Sequence, residues 1–249
     1  MLLKDRIAFI TGGAKGIGRA IAQDMCREGA KVIIGDVSEN AGTKTANEIK
    51  SSGGRACFKQ INVTNFQSLK ITAQEIREEI GHIDILVVNA GISIKRPIED
   101  LDEVLWDKVM DVNLKGSFLT VKAFLSHIET SRHGKIIFIS SGSALTGTGG
   151  GIQYVASKAG QHAMVFNLAK ELGPKGVNVN AIAPRAIQSK MLETLYPDEK
   201  SRMELTQKIP IRKIGQPEDV AYMASFLCSD KASYLHGQVI LLDGGRTNQ

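Results

Sequence analysis

Along the chain, short apolar runs alternate with longer stretches in which apolar residues recur every three or four positions. The first pattern reads as buried strand and the second as amphipathic helix. The runs are Ile7 to Ile10, Lys31 to Asp36, Ala56 to Asn62, Ile83 to Val88, Lys135 to Ser140, Val177 to Ala183 and Gln238 to Leu242. The helical stretches are Ala20 to Glu28, Ala41 to Ser51, Phe66 to Ile80, Leu114 to Thr130, Tyr154 to Leu172 and Pro217 to Leu227. Such alternation predicts an α/β fold, a doubly wound sheet of seven parallel strands with helices on both faces. Runs such as Ile-Asp-Ile-Leu-Val-Val and Lys-Ile-Ile-Phe-Ile are nearly continuous in apolar residues, as parallel strands covered on both faces require. No repeat, low-complexity tract or linker interrupts the pattern. A length of 249 residues then predicts one domain over 1–249.

Composition adds little but excludes several classes. The chain is 43% hydrophobic and 23% charged, in the range of ordinary globular proteins. Its net charge is +5, yet the 31 Lys and Arg residues are scattered, so a solvated surface is expected and not a nucleic-acid partner. Cys26, Cys57 and Cys228 lie far apart without metal-ligand spacing and read as reduced thiols. The five histidines show no ligand spacing either, so no metal is expected. No leader is expected before the first strand, and no run approaches the roughly 18 apolar residues of a membrane span. A cytoplasmic location is expected.

In doubly wound sheets ligands sit outside the carboxyl ends of the strands, where the strand order reverses. After the first strand comes Thr11-Gly12-Gly13-Ala14-Lys15-Gly16-Ile17-Gly18, leading into a helix. Gly12 suits a tight turn, Gly16 a close approach of backbone N–H groups to a pyrophosphate, and Gly18 close packing of the helix. The second strand ends in Asp36, 18 residues beyond Gly18, near the spacing at which a carboxylate meets adenosine ribose hydroxyls. A carboxylate there repels a 2′-phosphate, which favours NAD over NADP. Lys15, a cation inside the loop, argues the other way. Further along, Tyr154 and Lys158 stand four residues apart on one predicted helix. That spacing shares a helical face, and an ammonium near a phenol lowers its pKa toward working pH.

Taken together, Thr-Gly-x-x-x-Gly-x-Gly at 11–18, Asn89-Ala90-Gly91, Asn113, Ser141, Tyr154-x-x-x-Lys158 and Asp243-Gly244-Gly245 resemble the short-chain dehydrogenase/reductase family over essentially the whole chain. The resemblance implies a Rossmann-type fold and a nicotinamide-dependent oxidoreductase acting on a CH–OH group. It implies reversible hydride transfer between nicotinamide and a secondary alcohol or ketone. Tyr154 would exchange the proton, Lys158 would lower the phenol pKa and bind the nicotinamide ribose, and Ser141 would hold the substrate oxygen. Ser140 is the neighbouring candidate, but adjacent strand residues face opposite ways. Asn113 would bend its helix and help anchor a water linking Lys158 to solvent, or serve as a helix cap. Cofactor contacts are expected at Gly12, Lys15, Gly16, Ile17, Gly18, Asp36, Val37, Asn62, Val63, Asn89, Ala90, Gly91, Tyr154, Lys158, Pro184 and Ile187.

Two positions depart from the family pattern. Asn62-Val63 stands where Asp-Val is common, and Pro184-Arg185 where Pro-Gly is usual. A glycine after the proline permits positive φ or close backbone approach, which an arginine does not do cheaply. The backbone there must differ or tolerate strain. Arg185 would also suit an anionic substrate group, alternatively solvent or the cofactor pyrophosphate. Ser143, Gln153 and Gln188 are the other candidate substrate contacts. The stretch 187–208, with Gln188, Met191, Leu192 and Tyr196, reads as a helical lid. The substrate is expected to be a sugar, polyol or other small hydroxy compound. Alternatives are a 3-oxoacyl-thioester reductase using NADPH and a non-catalytic cofactor-binding scaffold. The resemblance also implies a homotetramer or homodimer built through the helices 114–130 and 154–172.

Overall fold

The computed structural model describes residues 1–247, the side chain of Met191 excepted. Seven strands form one parallel sheet: β1 (Ile7–Thr11), β2 (Lys31–Asp36), β3 (Arg55–Gln60), β4 (Ile85–Val88), β5 (Lys135–Ile139), β6 (Asn178–Pro184) and β7 (Val239–Leu242). Their order is β3-β2-β1-β4-β5-β6-β7. The chain therefore winds outward from β1 in one direction, then returns and winds outward from β4 in the other. The crevice between β1 and β4 is the switch point at which such sheets bind ligands.

Period-two alternation sorts each strand between two cores. Ala8 and Ile10 of β1 pack with Ile21, Met25, Ala224 and Leu227, on the face covered by α1 (Gly16–Arg27), α2 (Glu39–Ser51) and, late in the chain, the helix Pro217–Leu227. Phe9, between them, turns to the opposite face and joins Leu86, Phe124 and Phe138. Its ring stacks on Phe124 with centroids 4.3 Å apart. Both rings are fully buried, and truncating either to alanine would cost about 3–5 kcal/mol. That second face is covered by α3 (Phe66–Glu79) and by two long helices that follow β4 and β5.

The helices differ from the expected set in instructive ways. α1 begins at Gly16, four residues before the periodic stretch, because extended Lys15 serves as its N-cap. A helix absent from the expected elements, α4 (Glu103–Met110), is started by Asp102, whose carboxylate accepts from the Leu105 N–H at 2.7 Å. Its axis continues through a π-helical turn, Asp111–Lys115, into α5 (Gly116–Thr130). Asn113 is therefore inside a continuous helical segment and is not an N-cap. After β5 come the single turn α6 (Ser143–Thr146) and the 21-residue α7 (Ile152–Leu172). The expected lid contains α8 (Lys190–Leu195) and α9 (Glu199–Gln207), and α10 (Pro217–Leu227) completes the set.

Candidate active site

The floor of the crevice is a hydrogen-bonded seam between the ends of β1 and β4. The Thr11 hydroxyl accepts from the N–H groups of Asn89 and Ala90 at 3.0 and 3.1 Å and donates to the Val87 carbonyl. The Asn89 amide donates to the carbonyls of Thr11 and Gly12, both at 3.0 Å. This seam presses the first turn of α1 against the strand end. A Cβ at Gly18 would lie 2.2 Å from the Gly12 oxygen, so no side chain fits there. Gly12 and Gly16 adopt φ of +65° and +53°, which glycine reaches without penalty.

α1 starts with no side-chain cap and no acidic residue in its first turn. Its unpaired N–H groups and positive dipole end are left for an anion. At the end of β2, Asp36 accepts from Ala14 N–H at 3.1 Å through one carboxylate oxygen and from Ser38 N–H at 3.0 Å through the other. The charge is thus pinned beside the loop, where a ribose diol would reach it. A glycine cradle, a free helix end and a fixed carboxylate fit a dinucleotide.

These groups line one end of a cavity of about 630 Å³. The wall takes in every residue expected to contact the cofactor: Gly12, Lys15, Gly16, Ile17, Gly18, Asp36, Val37, Asn62, Val63, Asn89, Ala90, Gly91, Tyr154, Lys158, Pro184 and Ile187. Ser141, Ser143 and Arg185 are on it as well.

Tyr154 and Lys158 stand on successive turns of α7, and the Lys158 Nζ lies 5.8 Å from the centre of the phenol ring. Both are buried, and burial governs both titrations. The Tyr154 pKa is raised by desolvation, against a hydrogen bond from the Ser141 side chain that lowers it. Lys158 is pushed down to about 7 by desolvation. The expected lowering of the phenol pKa is therefore not the state of this structure. The ammonium is turned instead to the Ile139 carbonyl at 2.9 Å and to the Gln161 side-chain oxygen at 3.1 Å. Of the two adjacent serines, Ser141 is the one that acts on the Tyr154 titration, whereas Ser140 donates to the Lys158 carbonyl at 3.2 Å.

Asn113 is fully buried behind this pair. Its amide accepts from Ile92 N–H at 2.8 Å and donates to the Ile92 carbonyl at 2.9 Å and to the Ser157 hydroxyl. It ties the loop following Gly91 to α7. The Asn113 backbone carbonyl, freed by the π turn, accepts from Gln161 at 2.9 Å and from Ser117 at 2.6 Å. Gln161 is thus a site residue that sequence reasoning missed. Its signal was available: it lies three residues beyond Lys158 and seven beyond Tyr154, on the same helical face.

A family profile described as enoyl-(acyl carrier protein) reductase matches residues 12–247. The 3-oxoacyl-[acyl-carrier-protein] reductase FabG of Thermotoga maritima is 38% identical over 98% of this chain and 99% of its own length. The chain belongs to the short-chain dehydrogenase/reductase family. FabG of Escherichia coli is 34% identical, covering 98% of both chains. Among solved structures, gox2181 superposes with a TM-score of 0.93 at 33% identity, covering 99% of this chain and 97% of that one. A Beutenbergia cavernae protein described as a candidate NAD(P)-dependent gluconate 5-dehydrogenase, with NADP bound at low occupancy, reaches 0.94 at 33% identity over 99% of this chain and 98% of that one. The short-chain dehydrogenase/reductase fold and the family's nicotinamide-dependent oxidoreductase class thus carry over to this chain.

Within that family frame, some expected substrate contacts lie elsewhere. Gln153 is fully buried and off the cavity wall, its amide donating to the Ile94 carbonyl. As the second residue of α7 it points beneath the glycine run, not into the site. Gln188 is also off the wall, because its side chain reaches Glu193 on α8 at 3.2 Å. The strain expected at Arg185 falls one residue later, at Ala186, with φ of +57°. Arg185, just past the end of β6, is not among the positive-φ residues, and its N–H donates to the Leu242 carbonyl at 3.1 Å. Across from it, Gly142 leaves the space: a Cβ there would stand 3.3 Å from the Arg185 Cβ. Among the described residues, no group of three His, Cys, Asp or Glu side chains is placed to hold a metal.

Proposed function

We propose that this protein is an NAD-preferring dehydrogenase/reductase that interconverts a secondary alcohol and a ketone on a small hydroxy compound. The observation that carries this reading is the convergence of Ser141, Tyr154 and Lys158 on the wall of the cavity whose other end is the glycine cradle. A nicotinamide dinucleotide bound in that cradle would supply or accept the hydride. Tyr154 gives its phenolic proton to the carbonyl oxygen during reduction and takes it back during oxidation. Ser141, on the same wall, holds the same oxygen. Lys158, whose Nζ lies 5.8 Å from the centre of the phenol ring, stabilises the developing phenolate from within a dry wall where charge interactions are strong.

The preference for NAD rests on Asp36, whose negative charge is fixed by two backbone N–H groups where a 2′-phosphate would come. Residues 187–208 act as a lid, since Ile187, Ser189, Lys190, Leu192, Leu195 and Tyr196 line the outer part of the cavity. They shed water from the reacting carbon when closed. Half-exposed Phe118 on α5 and Phe166 on α7 support assembly into a homotetramer or homodimer through those helices. The three free cysteines suit the reducing cytoplasm.

A second reading, a 3-oxoacyl-thioester reductase using NADPH, is favoured by the FabG names of the relatives. Steady-state absorbance of reduced nicotinamide separates the two. Oxidation of small secondary alcohols with NAD, and slow turnover of 3-oxoacyl thioesters with NADPH, supports the first. The reverse pattern replaces it with the second. No turnover of either class would leave only a cofactor-binding scaffold.

A further inference from the structure

The far end of the cavity, away from the glycine cradle, carries two arginines. Arg185 leaves the end of β6, and Arg246 follows β7. The Arg185 guanidinium is half-buried and is held by two hydroxyls, Thr148 at 2.7 Å and Thr247 at 3.2 Å. Both partners are neutral. Among the described residues neither arginine has a carboxylate within ion-pair distance. The nearest acid, Asp243, spends its two oxygens on the N–H groups of Gly245 at 2.9 Å and Thr247 at 2.7 Å. Burial and then the neighbouring Arg246 charge lower the Arg185 pKa, with Asp243 and Tyr196 opposing. Two cations on one cavity wall with no ion-pair partner among the described residues are unfavourable unless an anion comes between them.

Position tells which anion. Arg185 begins beside the catalytic serine, since Gly142 N–H donates to the Pro184 carbonyl and the Gly142 Cα faces the Arg185 side chain. The glycine cradle lies three strands away in the sheet order, which at roughly 4.8 Å per strand is about 14 Å. The pyrophosphate-binding end and the arginine pair are therefore on opposite sides of Ser141.

We propose that Arg185 and Arg246 form the subsite for an anionic group on the substrate, a carboxylate or a group of like charge, that fixes its carbonyl or hydroxyl at Ser141 and Tyr154. The substrate class is then a short hydroxy acid or oxo acid. The Thr148 and Thr247 hydroxyls hold the guanidinium in place, so a planar carboxylate meets a pre-oriented fork. This rests on the dehydrogenase reading for the reacting end, but not for the binding of the anion.

The test is calorimetric titration of the NAD-saturated and the cofactor-free protein with short hydroxy acids, each paired with its own neutral amide. Each acid is expected to bind at least ~10-fold more tightly than its amide, the scale of one charge-assisted contact. That ratio should fall toward one in Arg185→Gln and in Arg246→Gln. Thr247→Val, which removes only a tether, should lower the ratio by a smaller factor. Equal binding of acids and amides by the parent protein overturns the subsite. So does an unchanged ratio in both arginine variants. A rise in the NAD dissociation constant of the variants, with the acid-to-amide ratio intact, would reassign the arginines to the cofactor. If acids bind preferentially but no pair yields reduced nicotinamide with NAD or NADP, the subsite stands and the dehydrogenase reading fails.

Discussion

Gln161 donates its side-chain N–H to the Asn113 carbonyl at 2.9 Å, and that bond turns its oxygen onto the Lys158 ammonium at 3.1 Å. The glutamine bridges the π turn and Lys158 inside a fully buried layer. An acceptor on an ammonium favours the charged form. In Gln161→Leu the Lys158 pKa should drop, and the pH limb of kcat/KM belonging to it should move to lower pH by roughly one unit. Gln161→Glu should move the same limb upward. A merely structural role would not shift the limb in opposite directions, and equal profiles for both variants would remove Gln161 from the acid–base network.

Tyr154→Phe keeps the ring and loses the proton. It should lower kcat by about 10²–10⁴. Ser141→Ala should cost about 10²–10³ through the lost hold on the substrate oxygen. NAD binding followed by nucleotide fluorescence should survive in Ser141→Ala, because the glycine cradle is untouched. Substantial residual kcat in Tyr154→Phe would assign the proton to another group.

Asp36→Asn keeps the side chain's size but removes the charge beside the ribose, together with one of its two N–H acceptors. The ratio of kcat/KM for NAD to that for NADP should fall by about tenfold or more, a difference of about 1.4 kcal/mol. If the parent protein already turns over NADP as well as NAD, the carboxylate is not the selector.

Lys158 also links stability to pH. Its folded pKa of about 7 lies below the unfolded lysine value, so between the two the unfolded chain binds the extra proton. Burying the charged group therefore opposes folding fully below about pH 7, and the penalty fades as pH rises toward the unfolded value. The parent protein should gain stability over that interval relative to Lys158→Met, by an amount on the order of a few kcal/mol. Denaturant midpoints across the range measure it, and parallel curves for the two proteins would show that the ammonium is better solvated than its surroundings imply.

Much of the site was legible because its constraints are local. Gly12, Gly16 and Gly18 are demanded by backbone angles and contacts within eight residues, and Tyr154 and Lys158 by one helical turn. The elements that escaped were short or irregular. α4 has one exposed amphipathic face and eight residues, too few for periodicity to mark, and only the Asp102 cap announced it. Gln153 and Gln188 looked like substrate contacts because polar residues near a site invite that inference. Their directions depend on packing, the first beneath the glycine run and the second against Glu193.

The order and types of residues by themselves determined the parallel sheet, the dinucleotide cradle at its switch point and the tyrosine–lysine pair. These follow from periodicity and from contacts between neighbours in the chain. Tertiary structure alone decided which groups meet across long sequence separations. It placed Gln161 on Asn113, set the φ strain at Ala186 in place of Arg185, and brought Thr148, Arg185 and Arg246 to one wall. Three strand ends and their loops must first be stacked side by side before such residues touch. Burial, which sets the pKa values of Tyr154 and Lys158, belongs to the packed whole and has no local signature.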